Sequence, residues 1–352
     1  MVMVFVDWAP ITKKSDIYKG GHIRRYYAWK AISEVADKPL SFRRDDGSIS
    51  RGTIIQMLGK DSKIWVEYGC GGVAHLIVLF ALFIRFNKTL ILDVHDLSMQ
   101  QRDVDEQQPF LKRVRLEIIE YFMLKRANVI ILPCPRLLDY FKPRKNQKII
   151  IMIPGVGEDE LSVPTIQKKG KNKNKALYFG SMQRKGAIPK IIGLFSDVKG
   201  WNLELLGQRE GEEFEEGENV KYMGAVSHEK LQDILGDEDV VIIPLPKNEY
   251  LDKAMHIKLG YALKSCKPVI TTKLKGITDY VSMTDLEDNV IYVEEWNLDT
   301  LKDSLQKSQN LNISAEETIE KLRPLAWEPR FRNAIEISLG ISETKNFEVE
   351  WI

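Results

Sequence analysis

The chain is poor in cysteine, in histidine, in net charge and in long apolar runs, and each shortage removes a class of protein. Only three cysteines, Cys70, Cys134 and Cys266, occur in 352 residues, and they lie far apart. That spacing fits neither a zinc site nor a disulfide scaffold, and it suits a reduced, cytoplasmic setting. Five histidines leave few imidazole ligands for a metal centre. Lys plus Arg number 51 against 50 for Asp plus Glu. So balanced a charge gives no case for general nucleic-acid binding. The longest apolar run, 73–86, is broken by His75 and Arg85. It falls short of the ~20 residues that cross a bilayer and is expected to be a buried helix covering a sheet. No signal peptide is expected, because the apolar Val2–Val6 is brief and meets Asp7 at once. No short internal repeat is present.

What is there is a soluble composition, 44% hydrophobic and 29% charged. It is enough chain for two domains of ordinary size. Charge is uneven along it. Residues 1–160 carry 25 basic and 19 acidic side chains, a net of +6, and the remainder carries 26 and 31, a net of −5. A basic amino-terminal half fits an anionic surface or acceptor, and scatter accounts for it equally well.

Short apolar strands alternate with helical segments in both halves. In the first half, strands are expected at Val2–Val6, 64–68, 89–94, 128–132 and 148–153, with helices at 22–36, 73–86, 109–125 and 136–141. Residues 162–175, SVPTIQKKGKNKNK, are polar and without apolar periodicity, as a linker or exposed loop would be. Afterwards the alternation resumes. Strands are expected at 176–179, 202–206, 220–222, 239–244, 269–272 and 290–293, and helices at 188–195, 228–235, 298–309 and 315–325. A final amphipathic helix at 327–340 follows. Such alternation implies parallel sheets with right-handed crossovers. The fold class expected is α/β, with two Rossmann-like domains whose parallel sheets face a central cleft. Residues 1–165 form the first domain, 166–325 the second, and 326–352 a helix and tail packing back on the first.

The stretch 254–272, AMHIKLGYALKSCKPVITT, carries most information. A helix with Lys258 in its opening turn follows one buried-type strand and leads into another. A cation joined to helix N-terminal amides at the carboxyl end of a parallel strand is a place for an anionic ligand, such as a nucleotide diphosphate. Lys258-Leu259-Gly260-Tyr261, with Lys267-Pro268-Val269-Ile270 behind it, resembles the donor-site segment "P-x-K-L-x-E-Y-x-A-x-G-x-P-V-I" of GT-B glycosyltransferases of family 4. The glutamate of that segment, which grips the donor ribose, is replaced by Gly260, and Asp252 stands eight residues earlier.

Further stretches carry the same resemblance. Gly180-Ser181-Met182-Gln183-Arg184-Lys185-Gly186 is similar to the family's basic turn, whose Arg and Lys neutralise the donor diphosphate. Fixed cations stabilise a departing diphosphate without a bound metal. Leu203–Gly207 is similar to its "L-x-L-x-G" strand and turn, and the run from Asn219 to Leu231 to its "N-V-x-F-x-G-x-V" stretch, where Tyr222 to Val226 would meet the base. Pro244 and Tyr250 stand in the loop that covers the donor sugar. In the first half, Gly20-Gly21 before His22 matches the family's glycine pair, which approaches phosphate and acceptor. His95-Asp96 matches its "H-D" segment, with the imidazole near the reacting sugar and the carboxylate orienting it or the acceptor.

The resemblance thus implies His95, Asp96, Arg184, Lys185 and Lys258 as the catalytic group. It implies Gly20, Gly21, Gly180, Ser181, Gly207, Tyr222, Val226, Pro244, Tyr250 and Tyr261 as the donor-binding group. It implies transfer of a sugar from a UDP- or GDP-linked donor to a hydroxyl acceptor, with retention, no cofactor and no metal. The acceptor is a glycan, a lipid-linked or a small molecule. Asp103-Val104-Asp105 is formally a D-x-D but sits in a polar stretch and is taken as chance. The helix at 110–126 mixes basic and apolar residues and leaves open a peripheral contact with the inner face of a membrane. A nucleotide-sugar 2-epimerase of the same fold and a catalytically degenerate subunit stay as alternatives. The epimerase asks for cleft carboxylates of which the sequence offers few, and Gly260 speaks for the degenerate subunit.

Overall fold

The computed structural model describes residues 2–6, 17, 20–44, 48–59, 62–69, 73–84, 89–96, 110–140, 142–163, 174–182, 187–209, 217–341 and 349–351. The chain divides into two compact units. One holds residues 1–12, 24–153 and 327–352, the other residues 13–23 and 154–326.

The first unit is built on a parallel sheet. Its elements are β1 (Val2–Val6), α1 (Gly20–Val35), β2 (Lys38–Ser41), α2 (Arg51–Leu58), β3 (Ser62–Gly69), α3 (Val73–Ile84), β4 (Leu90–Asp96), α4 (Phe110–Arg126), β5 (Val129–Leu132) and β6 (Lys148–Ile151). Seven strands lie in the order β13-β6-β5-β4-β3-β1-β2, where β13 is Val349–Trp351. Central strands such as β5 are buried at every position, as apolar runs covered on both faces must be. The sheet reverses its direction of growth between β1 and β3.

The helix α3 departs from the expected buried covering helix. His75, Val78, Ala81 and Leu82 are buried, but Leu76, Phe80, Phe83 and Ile84 are exposed. Its residues are apolar all round, while the sheet covers only one side.

The last helix, α12 (Trp327–Leu339), belongs to this first unit. Trp327 stacks on Phe331 with ring centroids 5.6 Å apart, and Phe331 meets Trp65 of β3 at 6.3 Å. The guanidinium of Arg24 lies 5.6 Å from both the Trp327 and Phe331 rings. All three aromatic side chains are fully buried.

The second unit repeats the principle with β7 (Asn174–Phe179), α5 (Ala187–Ser196), β8 (Trp201–Leu206), β9 (Val220–Gly224), α6 (His228–Asp237), β10 (Val240–Ile243), α7 (Glu249–Lys253), α8 (Ile257–Lys264), β11 (Val269–Thr272), α9 (Lys275–Thr284), β12 (Val290–Val293), α10 (Leu298–Gln309) and α11 (Ala315–Leu322). Six parallel strands lie in the order β12-β11-β10-β7-β8-β9. The chain therefore grows outward from β7 to β9, then returns to the other side of β7 with β10. That reversal point is where open α/β sheets leave a crevice at their carboxyl ends.

Replacing Phe331 with Ala removes a ring packed between two tryptophans. The loss amounts to about 3–5 kcal/mol for a fully buried aromatic. A lowered denaturation temperature in a calorimetric scan is the expected result, and an unchanged transition would show that α12 adds nothing to the first unit.

Candidate functional site

Three strand ends meet at the carboxyl edge of the second unit. Gly180 follows β7, Gly207 follows β8, and Gly224 ends β9. The Gly180 amide donates to the Leu206 carbonyl at 2.8 Å, and the Gly207 amide to the Gly224 carbonyl at 3.0 Å. Gly180 has φ +134° and Gly207 φ +155°. A Cβ on Gly207 would overlap the carbonyl of Gly180, and one on Gly180 would overlap the ammonium of Lys258. Both positions thus need glycine for conformation, and Gly207, which faces backbone, needs it for space as well.

Lys258 stands in the first turn of α8, which follows β10 across the reversal point. Its Nζ donates to the Tyr178 hydroxyl at 3.1 Å and lies 4.7 Å from the ring centroid. The Tyr178 hydroxyl in turn donates to the Ser181 carbonyl at 2.7 Å. The sequence reading did not single out Tyr178, whose position inside an apolar strand looks like core. Next to this group, the Tyr222 hydroxyl donates to the Gly207 carbonyl at 2.6 Å, and the Arg209 guanidinium covers the Tyr222 ring at 4.1 Å. A helix N-terminus is already the positive end of a dipole. An ammonium placed there, beside open backbone turns, suits an anion.

Of the residues expected at the donor site, the structure brings together Gly180, Ser181, Gly207, Tyr222 and Lys258. Pro244 is buried just past β10, on the other flank of the reversal point, while Val226 and Tyr250 are half-buried in the loop before α6 and in α7. Tyr261 is buried, with its ring edge-on to His228 at 4.7 Å. Arg184 and Lys185 lie outside the described residues, as do Asp103 and Asp105. Gly20 and Gly21 open α1.

The substituted carboxylate has a clear packing cause. A Cβ on Gly260 would stand 2.9 Å from the Tyr280 hydroxyl and 3.5 Å from the Gly155 carbonyl. A glutamate there would have to push Tyr280 aside. Asp252 accepts from the backbone amide of Lys275 at 3.0 Å and pairs with the Lys275 ammonium at 3.3 Å. It closes the start of α9 instead.

The first unit gathers buried charge around the end of β4. Asp93 and His95 are two apart on one strand and so share a face. Glu67 of β3 is the register partner of Asp93. His95 Nε2 is 3.7 Å from a carboxylate oxygen of each. Arg24 pairs with Asp93 at 2.6 Å and Arg25 with Glu67 at 2.8 Å. Asp96 closes the strand. The partners found for His95 are thus Glu67 and Asp93, and the signal was the alternating Leu92-Asp93-Val94-His95, two polar groups on one face of an apolar strand.

Ligand atoms of Glu67, Asp93 and His95 lie within 4.8 Å of one another. Two guanidinium groups already balance those carboxylates, so the cluster has the make-up of an ion network more than of a metal cage. Burial opposes charge on His95, which is 11% exposed, yet the Glu67 and Asp93 carboxylates outweigh it and raise the pKa to about 9. Burial would lift Asp93, but Arg24 and His95 hold it down at about 2. His95 therefore carries a positive charge at neutral pH.

The sign of its pH dependence follows. The folded pKa exceeds the ordinary 6.5, so the stabilisation is complete below 6.5 and lost as pH rises through about 9. Asp93 works oppositely, its contribution fading only as pH falls from 3.8 through about 2. Thermal denaturation from pH 6 to 10 should show a decline across that upper window in the wild type and a flatter profile in His95→Gln. Parallel profiles would mean that His95 titrates alike in both states.

Comparison with known proteins adds the following. Residues 173–308 match the family described as Glycosyl transferases group 1. No curated protein sequence matches the chain. Among solved structures, sucrose-phosphate synthase from Thermosynechococcus elongatus is similar over 97% of this chain and 98% of its own, with TM-score 0.67 and 13% identity. An E. coli structure described as trehalose-6-phosphate bound with UDP-2-fluoro glucose is similar over 97% and 98%, with TM-score 0.60 and 10% identity. The lipopolysaccharide outer core galactosyltransferase WaaB is similar over 95% and 99%, with TM-score 0.59 and 12% identity. At these identities the likeness speaks to the fold, which is GT-B.

Proposed function

We propose that this chain, whose residues 173–308 match the group 1 glycosyltransferases, moves a sugar from a nucleotide-diphosphate-sugar to a hydroxyl acceptor with retention and without a required metal. The observation that carries the reading is the Lys258 ammonium, fixed by Tyr178 beside the glycine turns at the reversal point of the second sheet. Negative charge grows on the diphosphate as its bond to the sugar breaks. A fixed cation and helix-end amides answer that charge in the transition state.

The Arg184–Lys185 pair is assigned to the same diphosphate. The donor oxygen freed by departure takes the acceptor proton on the side the leaving group vacates, which keeps the anomeric configuration. The charged His95, with Asp96 beside it in sequence, is assigned to the sugar or acceptor hydroxyls. Gly20 and Gly21 are assigned to the donor phosphate, where the acceptor approaches it. The UDP-linked ligand of the E. coli neighbour makes a uridine donor the first to try, with guanosine next. The acceptor is a glycan, a lipid-linked or a small-molecule hydroxyl.

The test is release of nucleoside diphosphate from UDP- and GDP-sugars with and without candidate acceptors. Wild-type release should depend on acceptor. Lys258→Ala should bind nucleoside diphosphate more weakly by ~1.5–3 kcal/mol and transfer almost nothing, since a charged hydrogen bond is lost. Chelator should leave the rate unchanged. Intact binding and turnover in Lys258→Ala would contradict the site, and loss under chelator restored by Mn²⁺ would return Asp103 and Asp105 to consideration.

A further inference from the structure

We propose that the outer face of α3 and α4 in the first unit lies on an anionic lipid surface. The observation is where the exposed apolar side chains fall. Twelve large hydrophobic side chains are exposed among the described residues, and seven of them sit on these two helices. On α3 they are Leu76, Phe80, Phe83 and Ile84, spaced as one helical face, with Phe80 64% and Phe83 70% exposed. On α4 they are Ile118, Tyr121 and Phe122, each half exposed and again on one face. The two helices touch, and Arg126 of α4 donates to the Leu82 carbonyl of α3 at 3.4 Å. A scattering of single exposed leucines would be ordinary, whereas aromatic rings grouped on adjacent helices are a binding surface.

Charge identifies the occupant. Arg115 and Lys125 are exposed on the same side of α4, and the Lys125 ammonium sits 4.5 Å from the Tyr121 ring centre. The segment after α4 supplies more. Gln147 donates to the Leu124 and Ala127 carbonyls at 2.6 and 2.8 Å, which ties the 142–147 turn to the end of α4. Lys142, Arg144 and Lys145 in that turn are all exposed. Residues 125–148 hold seven basic side chains and one acidic, Asp139. Apolar aromatics bordered by cations match the interface of a bilayer with anionic headgroups, where rings enter the acyl boundary and ammonium groups meet phosphate. A neutral protein partner would not use the cations. Among the described residues no helix is long and apolar enough to cross a membrane, so the contact is made from one side. Nothing in the inference depends on the donor site.

The test is sedimentation with vesicles of phosphatidylcholine alone and of phosphatidylcholine mixed with phosphatidylglycerol. Binding is expected to the mixed vesicles only and to fall as salt rises. Exchanging Lys142, Arg144 and Lys145 for Gln should weaken partition by roughly 10²-fold, since each cation near the surface contributes about fivefold. Phe80→Ser with Phe83→Ser should abolish it. These positions are exposed, so circular dichroism and nucleoside-diphosphate binding should match the wild type and separate lost attachment from lost folding. Equal recovery in the supernatant with both vesicles at low salt would overturn the proposal. So would a wild-type dimer in light scattering that the serine pair converts to monomer without any vesicle binding, which would assign the face to a second copy.

Discussion

No side chain fits where Gly207 meets the carbonyl of Gly180, both glycines hold a positive φ that other residues rarely adopt, and the arrangement of the second unit depends on that pair. Parallel strands end in a row because their crossovers all return to the same edge. Bare backbone at two neighbouring ends lets the turns close on each other and leaves amides near the reversal point. Lys258 then comes from the far side of that point, on α8, the second helix after β10, and Tyr178 holds it. Topology sets the place, glycine sets the approach, and one tyrosine sets the cation.

The two units handle charge differently. In the second, the cation rests against a hydroxyl and a ring, which cost it little and leave it competent toward phosphate. In the first, five ionisable groups are held together: two arginines, two carboxylates and a histidine raised to about 9. Such a group is expensive to desolvate and rests on mutual compensation. Its two carboxylates, each 3.7 Å from His95 Nε2, favour the charged imidazolium more than water would at an open strand end.

Much of this was legible in the sequence because buried parallel strands are short apolar runs bounded by Gly, Pro and charge. Most strands of both sheets fall within two residues of their expected limits. Among the elements that were not read, two have a plain physical reason. β2, Lys-Pro-Leu-Ser, is an edge strand with a proline and little burial. α9, Lys275–Thr284, holds a glycine and four β-branched residues among its ten, and its start is held by Asp252, 23 residues away. Within the candidate site, Lys258 could be read from its place at a helix start after a buried strand, and Gly180, Ser181, Gly207 and Tyr222 from the resemblance of the motifs that hold them. Tyr178 and Glu67 could not, since each hides within its strand and acquires its meaning only from a neighbouring strand or helix, whereas Asp93 shows only as the polar position two before His95. The exposure of Phe80 and Phe83 was equally hidden, because an all-apolar helix gives no sign of which side the sheet covers.

The central claim is that Lys258 is a diphosphate-reading cation aimed by Tyr178. Titration calorimetry of Tyr178→Phe with uridine diphosphate and with uridine tests it most directly. Removing one hydroxyl keeps the ring and the packing but frees the ammonium. Affinity for the diphosphate should fall by about 0.5–1.5 kcal/mol, the net value of one hydrogen bond, while affinity for uridine stays the same. Equal losses for both ligands, or none for the diphosphate, would contradict the account.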